Sequence, residues 1–177
     1  MRKGWSSRRV FLLTFALCGL LLCAAPVFSQ DTIEALKEKI IDLQNEGDLG
    51  FRQFVLCSDI VSYGQYTPHS SNKVKIGSSI HFYYEPNNLY TKRSGGLYTI
   101  HFTQDLELQT PGGNVLLDAP DLLEFTYESA SPVLDVYAKN TLNLQGLGPG
   151  EYVLFATMHD KLGSKNVTTE FIFEIVE

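Results

Sequence analysis

Three histidines on separate β-like runs, His81, His101 and His159, have the side chains best suited to chemistry. With a carboxylate such as Glu85 nearby, imidazole nitrogens form a donor set for zinc or copper. No two of them lie on one strand, and no metal-ligand spacing relates them. Isolated imidazoles are therefore the competing expectation, and no metal is assigned. Cys57, in the apolar run Phe54-Val55-Leu56-Cys57, is expected to be a small buried hydrophobe, with a reactive or intermolecularly paired thiol as the alternative. Asp160 and Lys165 flank the last turn and are expected to pair across it rather than to catalyse. Asp118, Asp121 and Glu124 lack the dense alternating oxygen ligands of a calcium loop and read as turn and surface residues. The sequence holds no Gly-x-Ser-x-Gly, His-Glu-x-x-His, Walker loop, Gly-x-Gly-x-x-Gly or Cys-x-x-Cys, so no catalytic residue and no cofactor is expected.

Tyrosines are the remaining lead. All nine lie beyond residue 60, and Tyr63, Tyr66, Tyr83, Tyr84 and Tyr90 crowd into one stretch. A tyrosine offers an apolar face with a polar tip, which suits protein or carbohydrate contact, although strands use the same residue for packing. Tyr63, Tyr66, Tyr83 and Tyr90 are the candidate contact residues. The one tryptophan, Trp5, falls in the N-terminal leader, which weakens a sugar-stacking reading. Asn166-Val167-Thr168 matches a glycosylation sequon and is read as incidental.

The elements that must position these side chains are mostly strands. Short alternating runs occupy 51–63, 78–86, 97–110, 122–129, 133–144, 151–160 and 166–177, with turn residues between them. Pro111-Gly112-Gly113-Asn114 is a turn from which Val115–Asp118 returns as a hairpin partner. Without βαβ alternation, the pattern is that of an all-β antiparallel sandwich of the Ig or fibronectin type over 50–177. Tyr152, entering a strand behind Leu147-Gly148-Pro149-Gly150, sits where such domains fold a tyrosine back onto the backbone. Ahead of the strands, residues 31–46 read as a short amphipathic helix in a segment covering 30–49. Asp31 and Glu34 form its capping box, Gly47 ends it, and Ile33, Leu36, Ile40 and Leu43 share one face. The helix is expected to pack on its own domain or to be a loosely ordered spacer, with a dimerising or partner-docking helix as the alternative.

Residues 1–29 have the three parts of a secretory signal peptide. A basic start is followed by the apolar run 10–25 and by small residues at Val27 and Ser29, so cleavage is expected after Ser29. An uncleaved anchor is the alternative; once cleaved, the chain keeps no expected membrane span. Ser7-Arg8-Arg9-Val10-Phe11-Leu12 resembles the twin-arginine export motif, the general route being the alternative. The formal charge of −6 conceals this asymmetry: the leader holds four bases and no acid, leaving ten bases against 20 acids. So acidic a domain excludes a nucleic-acid partner.

From residue 50 onward the chain resembles an uncharacterised family of exported bacterial proteins with a single Ig-like domain. The matching residues are Tyr63-Gly64-Gln65-Tyr66, Tyr83-Tyr84-Glu85-Pro86, Asp105-Leu106-Glu107-Leu108, Thr110-Pro111-Gly112-Gly113, Pro149-Gly150-Glu151-Tyr152, Asp160, Lys165 and Phe171–Ile175. Ile76-Gly77 stands where that family usually has Pro-Gly. The resemblance implies a periplasmic or secreted location and no particular activity. The expected function is a non-enzymatic interaction module with a protein partner in the envelope. A carbohydrate- or small-molecule-binding sandwich is the first alternative, and a metal site from His81, His101 and His159 the second.

Overall fold

In the segment Ile80–Glu85 the side chains alternate between two environments, as a strand requires. Ile80, Phe82 and Tyr84 point into the core, and His81, Tyr83 and Glu85 point away from it. The computed structural model describes residues 33–177, which form α1 (Ile33–Glu46) followed by ten strands. These are β1 (Gly50–Ser62), β2 (Gln65–Pro68), β3 (Lys73–Lys75), β4 (Ser79–Asn87), β5 (Lys92–Ser94), β6 (Leu97–Gln109), β7 (Val115–Ser129), β8 (Ala138–Asn143), β9 (Gly150–Asp160) and β10 (Lys165–Val176). The leader, its export motif and the Asp31 cap lie outside the described residues.

The chain is mostly β, and its strands form two sheets. The first has the order β2-β1-β4-β8, antiparallel throughout. The second runs β3-β10-β9-β6, with β5 and β7 also pairing β6, and every pairing in it is antiparallel except the parallel β3–β10. Leu56, Ile80, Phe82 and Leu142 of the first sheet meet Leu106, Leu108, Leu154, Phe173 and Ile175 of the second in one core cluster. A smaller cluster of Leu49, Tyr84, Leu89, Phe102, Ala138 and Met158 continues it, and there the Tyr84 hydroxyl donates to Gln104 Oε1 at 2.8 Å.

Two regions depart from the strand reading. The runs 115–118 and 122–129 are one strand, because Ala119 still pairs with Leu106 and Leu123 already pairs with Gln104. Residues between them bulge outward, with Asp121 at a φ of 48° and its N–H donating to Asp105 Oδ1 at 2.8 Å. Residues 133–137, read as strand, carry no ladder, and Val133, Leu134 and Val136 are instead half-buried beside the end of α1.

α1 is held to its own domain, but not by its apolar face. Ile33, Leu36, Ile40 and Leu43 are 69%, 47%, 41% and 61% exposed, and the one buried residue of the helix is Ile41. Polar bonds hold the opposite side to the sheets. Arg93 pairs with Glu38 at 2.6 Å and also with Asp42, while Tyr98 bonds Glu38. Asn45 exchanges two bonds with the backbone of Thr91, and Gln44 Nε2 donates to the Leu134 carbonyl at 3.0 Å. Lys165 Nζ donates to the Gly47 carbonyl at 2.6 Å, placing a cation at the helix C-terminus, where the backbone dipole favours it. Among the described residues no helix is long and apolar enough to cross a membrane.

Candidate functional site

The outward side of β4 carries Tyr83 and Glu85, and their register with β1 sets Tyr83 opposite Val55 and Glu85 opposite Gln53. A lone outward tyrosine would be wet, yet Tyr83 is fully buried because rings cover both its faces. Tyr66 stacks on one face with centroids 4.2 Å apart, and Tyr137 on the other at 5.6 Å. Tyr63 meets Tyr137 edge-on at 6.3 Å. Gly64, in the β1–β2 turn at a φ of 65°, donates its N–H to the Tyr83 hydroxyl at 2.8 Å. A side chain with Cβ would be strained at that turn.

A charge network pins this stack. The Tyr83 hydroxyl donates to Glu85 Oε1 at 2.5 Å, and Arg52 Nε donates to Glu85 Oε2 at 2.7 Å. Arg52 Nη2 reaches outward to the Tyr63 hydroxyl at 2.5 Å and to Asp135 Oδ1 at 2.9 Å. Tyr66 bonds Gln53. Glu85 is 6% exposed, so its charge is held by the guanidinium beside it. Bonding to Asp135 and then to Glu85 pushes the Arg52 pKa further up. Burial, followed by the bond to Glu85, raises Tyr83, and burial with Asp135 beside it raises Tyr63, so both phenols stay protonated at neutral pH. The result is a rigid surface of aromatic edges around one guanidinium, able to bind but holding no activated nucleophile.

Three of the four candidate tyrosines thus come together, while Tyr90 does not. Its N–H donates to Asp160 Oδ2 at 2.7 Å, at the far end of β9. Arg52, Asp135 and Tyr137 belong to the site and went unnoticed in the sequence. Tyr152 donates its hydroxyl to the Gly148 carbonyl at 2.8 Å. Asp160 and Lys165 stand opposite each other in the β9–β10 ladder, but their side chains form no ion pair. Asp160 accepts from the backbone of Tyr90, Leu162 and Gly163, whereas Lys165 reaches across to the end of α1.

The three histidines do not converge. His81 lies on the outer side of the first sheet, bonded through Nδ1 to Thr141 Oγ1 at 2.9 Å. His101 and His159 lie on the outer side of the second, paired with Glu124 at 2.8 Å and Asp105 at 2.7 Å. The core separates His81 from the other two, and among the described residues no group of three His, Cys, Asp or Glu is placed to hold a metal. Cys57 is 2% exposed, and burial pushes its thiol pKa up, away from the reactive thiolate.

Asp105 yields a pH prediction. Burial raises its pKa, but the Asp121 N–H, His159 and Lys161 together outweigh burial and hold it below the usual carboxylate value. A carboxyl depressed on folding stabilises above its unfolded pKa of about 4 and loses that contribution as pH falls through the lower folded value. Asp105→Asn is therefore expected to destabilise at pH 7, with a gap to the parent chain that closes below about pH 4. Urea midpoints across the acid range would show this; parallel curves would refute it.

No family model matches the chain, and no curated protein matches it. Among solved structures it is similar to an alkylpurine DNA glycosylase from Pseudomonas fluorescens, at 9% identity and a TM-score of 0.42, covering 81% of this chain and 36% of that one. It is similar to a family 123 glycoside hydrolase from Clostridium perfringens at 11% identity and 0.43, covering 74% and 28%. A β-glucosidase from Listeria innocua gives 12% and 0.34, covering 71% and 16%. The chain thus spans between 16% and 36% of the length of these proteins, and likenesses this loose leave the site to be understood from its own geometry.

Proposed function

We propose that this chain is an exported, non-enzymatic interaction module of the Ig type, which contacts a protein partner in the cell envelope through Arg52, Tyr63, Tyr66 and Tyr137. The observation that carries the reading is the ring stack over Tyr83, locked by Glu85 and Arg52. Tyrosine and arginine are the residues that dominate protein interfaces, and rings already stacked lose little freedom when a partner arrives. The Ig assignment is supported by β3 pairing parallel to the last strand, by β1, β4 and β8 forming the facing sheet, and by the Tyr152 bond to Gly148. Export rests on the leader at 1–29.

The test is site-specific photocrosslinking. A crosslinker at Tyr63 is expected to capture one discrete envelope protein, and the same group at Thr157 on the second sheet is not. Tyr137→Ala should weaken that complex at least tenfold, as loss of a central interface aromatic does. Equal capture from both positions, or affinity unchanged by Tyr137→Ala, would remove the reading.

A further inference from the structure

The domain's few bases are unevenly placed. Of the ten that lie beyond the leader, Lys73, Lys75 and Lys139 line two adjoining hollows together with His69 and His81, the larger between β1 and β4 of the first sheet and β3 and β10 of the second, the smaller along β1, β4 and β8. The hollows measure about 540 and 200 Å³ and share His81, and Asp59 is the one acid among their lining residues. Beyond the leader, where acids outnumber bases two to one, this groove is a positive island of ligand size. Ser70, Ser71, Ser78 and Ser79 add hydroxyls to its wall, over a floor containing buried Val74 and Ile80.

Bonds already present leave donors aimed at the space. His69 Nδ1 lies 2.8 Å from the Ser71 carbonyl, which only accepts, so that nitrogen carries the proton. His69 Nε2 is left as an acceptor in the neutral ring and a donor in the imidazolium. His81 is likewise held through Nδ1, by Thr141. Lys73 pairs with Glu174 at 2.7 Å, whereas Lys75 and Lys139 make no side-chain bond or ion pair. The groups facing the groove from β1, β3, β4, β8, β10 and the loop before β3 are therefore Asp59, the Cys57 thiol, three lysines, two imidazoles and Glu174, the partner of Lys73.

We propose that this groove binds a small ligand bearing an oxyanion, phosphoryl or carboxylate, with Lys75 and Lys139 supplying charge and His69 and His81 gripping it when protonated. The inference does not rest on the partner contact through Tyr63, and either can fail alone.

The experiment titrates the purified full chain at constant ionic strength with inorganic phosphate, glucose 6-phosphate and glucuronate, following heat and histidine ring resonances. Saturable binding is expected from the two phosphates or from glucuronate, which separates a phosphoryl from a carboxylate ligand. The resonances of His69 and His81 should move while those of His101 and His159 stay. Lys75→Gln with Lys139→Gln should weaken binding at least tenfold, and Lys161→Gln should leave it unchanged. Binding by none of the three probes, movement of His101 or His159 instead, or equal affinity in the double variant would each overturn the proposal.

Discussion

Phe82→Ala is expected to lose about 3–5 kcal/mol of folding free energy, the cost of emptying a fully buried phenyl site. Phe82 has no exposed surface, stacks on Phe54 with centroids 5.3 Å apart, and meets Phe171 edge-on at 5.4 Å. Phe54 belongs to β1 and Phe171 to β10, so one ring joins the two sheets. Aromatic pairs contribute roughly 0.5–1.5 kcal/mol beyond the area they bury, which puts this site toward the upper half of the range. A domain of this size has about 5–15 kcal/mol in all, so the urea midpoint should fall by roughly 2 M with little change in slope. Tyr127→Ala is the contrast: that ring is 44% exposed on β7, and its loss should cost under about 1 kcal/mol. A Phe82→Ala midpoint within about 0.5 M of the parent chain would mean that the sheets are not joined at this ring.

Alternation made the long strands legible, because Ile80, Phe82 and Tyr84 against His81, Tyr83 and Glu85 repeats over enough residues to be seen. Strands of three or four residues, such as β2, β3 and β5, have no room for a pattern. The runs 115–118 and 122–129 read as separate, yet the bulge tied to Asp105 carries β7 past Pro120 and the ladder to β6 resumes. The side by which the helix packs was illegible for a different reason. Periodicity locates an apolar face but says nothing of what meets it, and here Arg93, Thr91 and Lys165 bind the polar side first.

The site was half legible for a similar reason. Density of tyrosine pointed to Tyr63, Tyr66 and Tyr83, and Glu85 two residues after Tyr83 had to share its side of β4. Tyr137 and Asp135 arrive from a distant segment, and only the fold brings them over the stack. Arg52 is local to β1, but its value comes from Glu85, a partner 33 positions away. The histidines fail as a group on the same ground: alternation turns His81 and His101 outward, and it cannot tell that β4 and β6 belong to different sheets.

Asp160→Ala should cost about 3–5 kcal/mol, although its carboxylate touches no charged partner. Asp160 is 2% exposed and uses both oxygens on backbone donors. Oδ2 accepts from Tyr90 at 2.7 Å, and Oδ1 accepts from Leu162 at 3.0 Å and Gly163 at 2.8 Å. Hydrogen bonds to an ionised acceptor contribute about 1.5–3 kcal/mol each, and removing the acceptor strands the donors beneath the chain. Asp160→Asn should cost less, since one oxygen remains, but its amide N–H groups would face donors. Gly163→Ala probes the same packing from the other side. An added Cβ would sit 2.8 Å from both Asp160 Oδ2 and Tyr90 Cβ, closer than carbon tolerates, so the turn must move. Lys165→Met removes only the cation from the end of α1 and should cost about 1 kcal/mol or less. Amide exchange separates the two residues at this turn. Asp160→Ala should expose the amides of Tyr90, Leu162 and Gly163 while those of β1 and β4 stay protected, whereas Lys165→Met should loosen α1 alone. If the amides of α1 and of the turn instead opened together in both variants, the two residues would be acting as the single bridge first expected from their spacing.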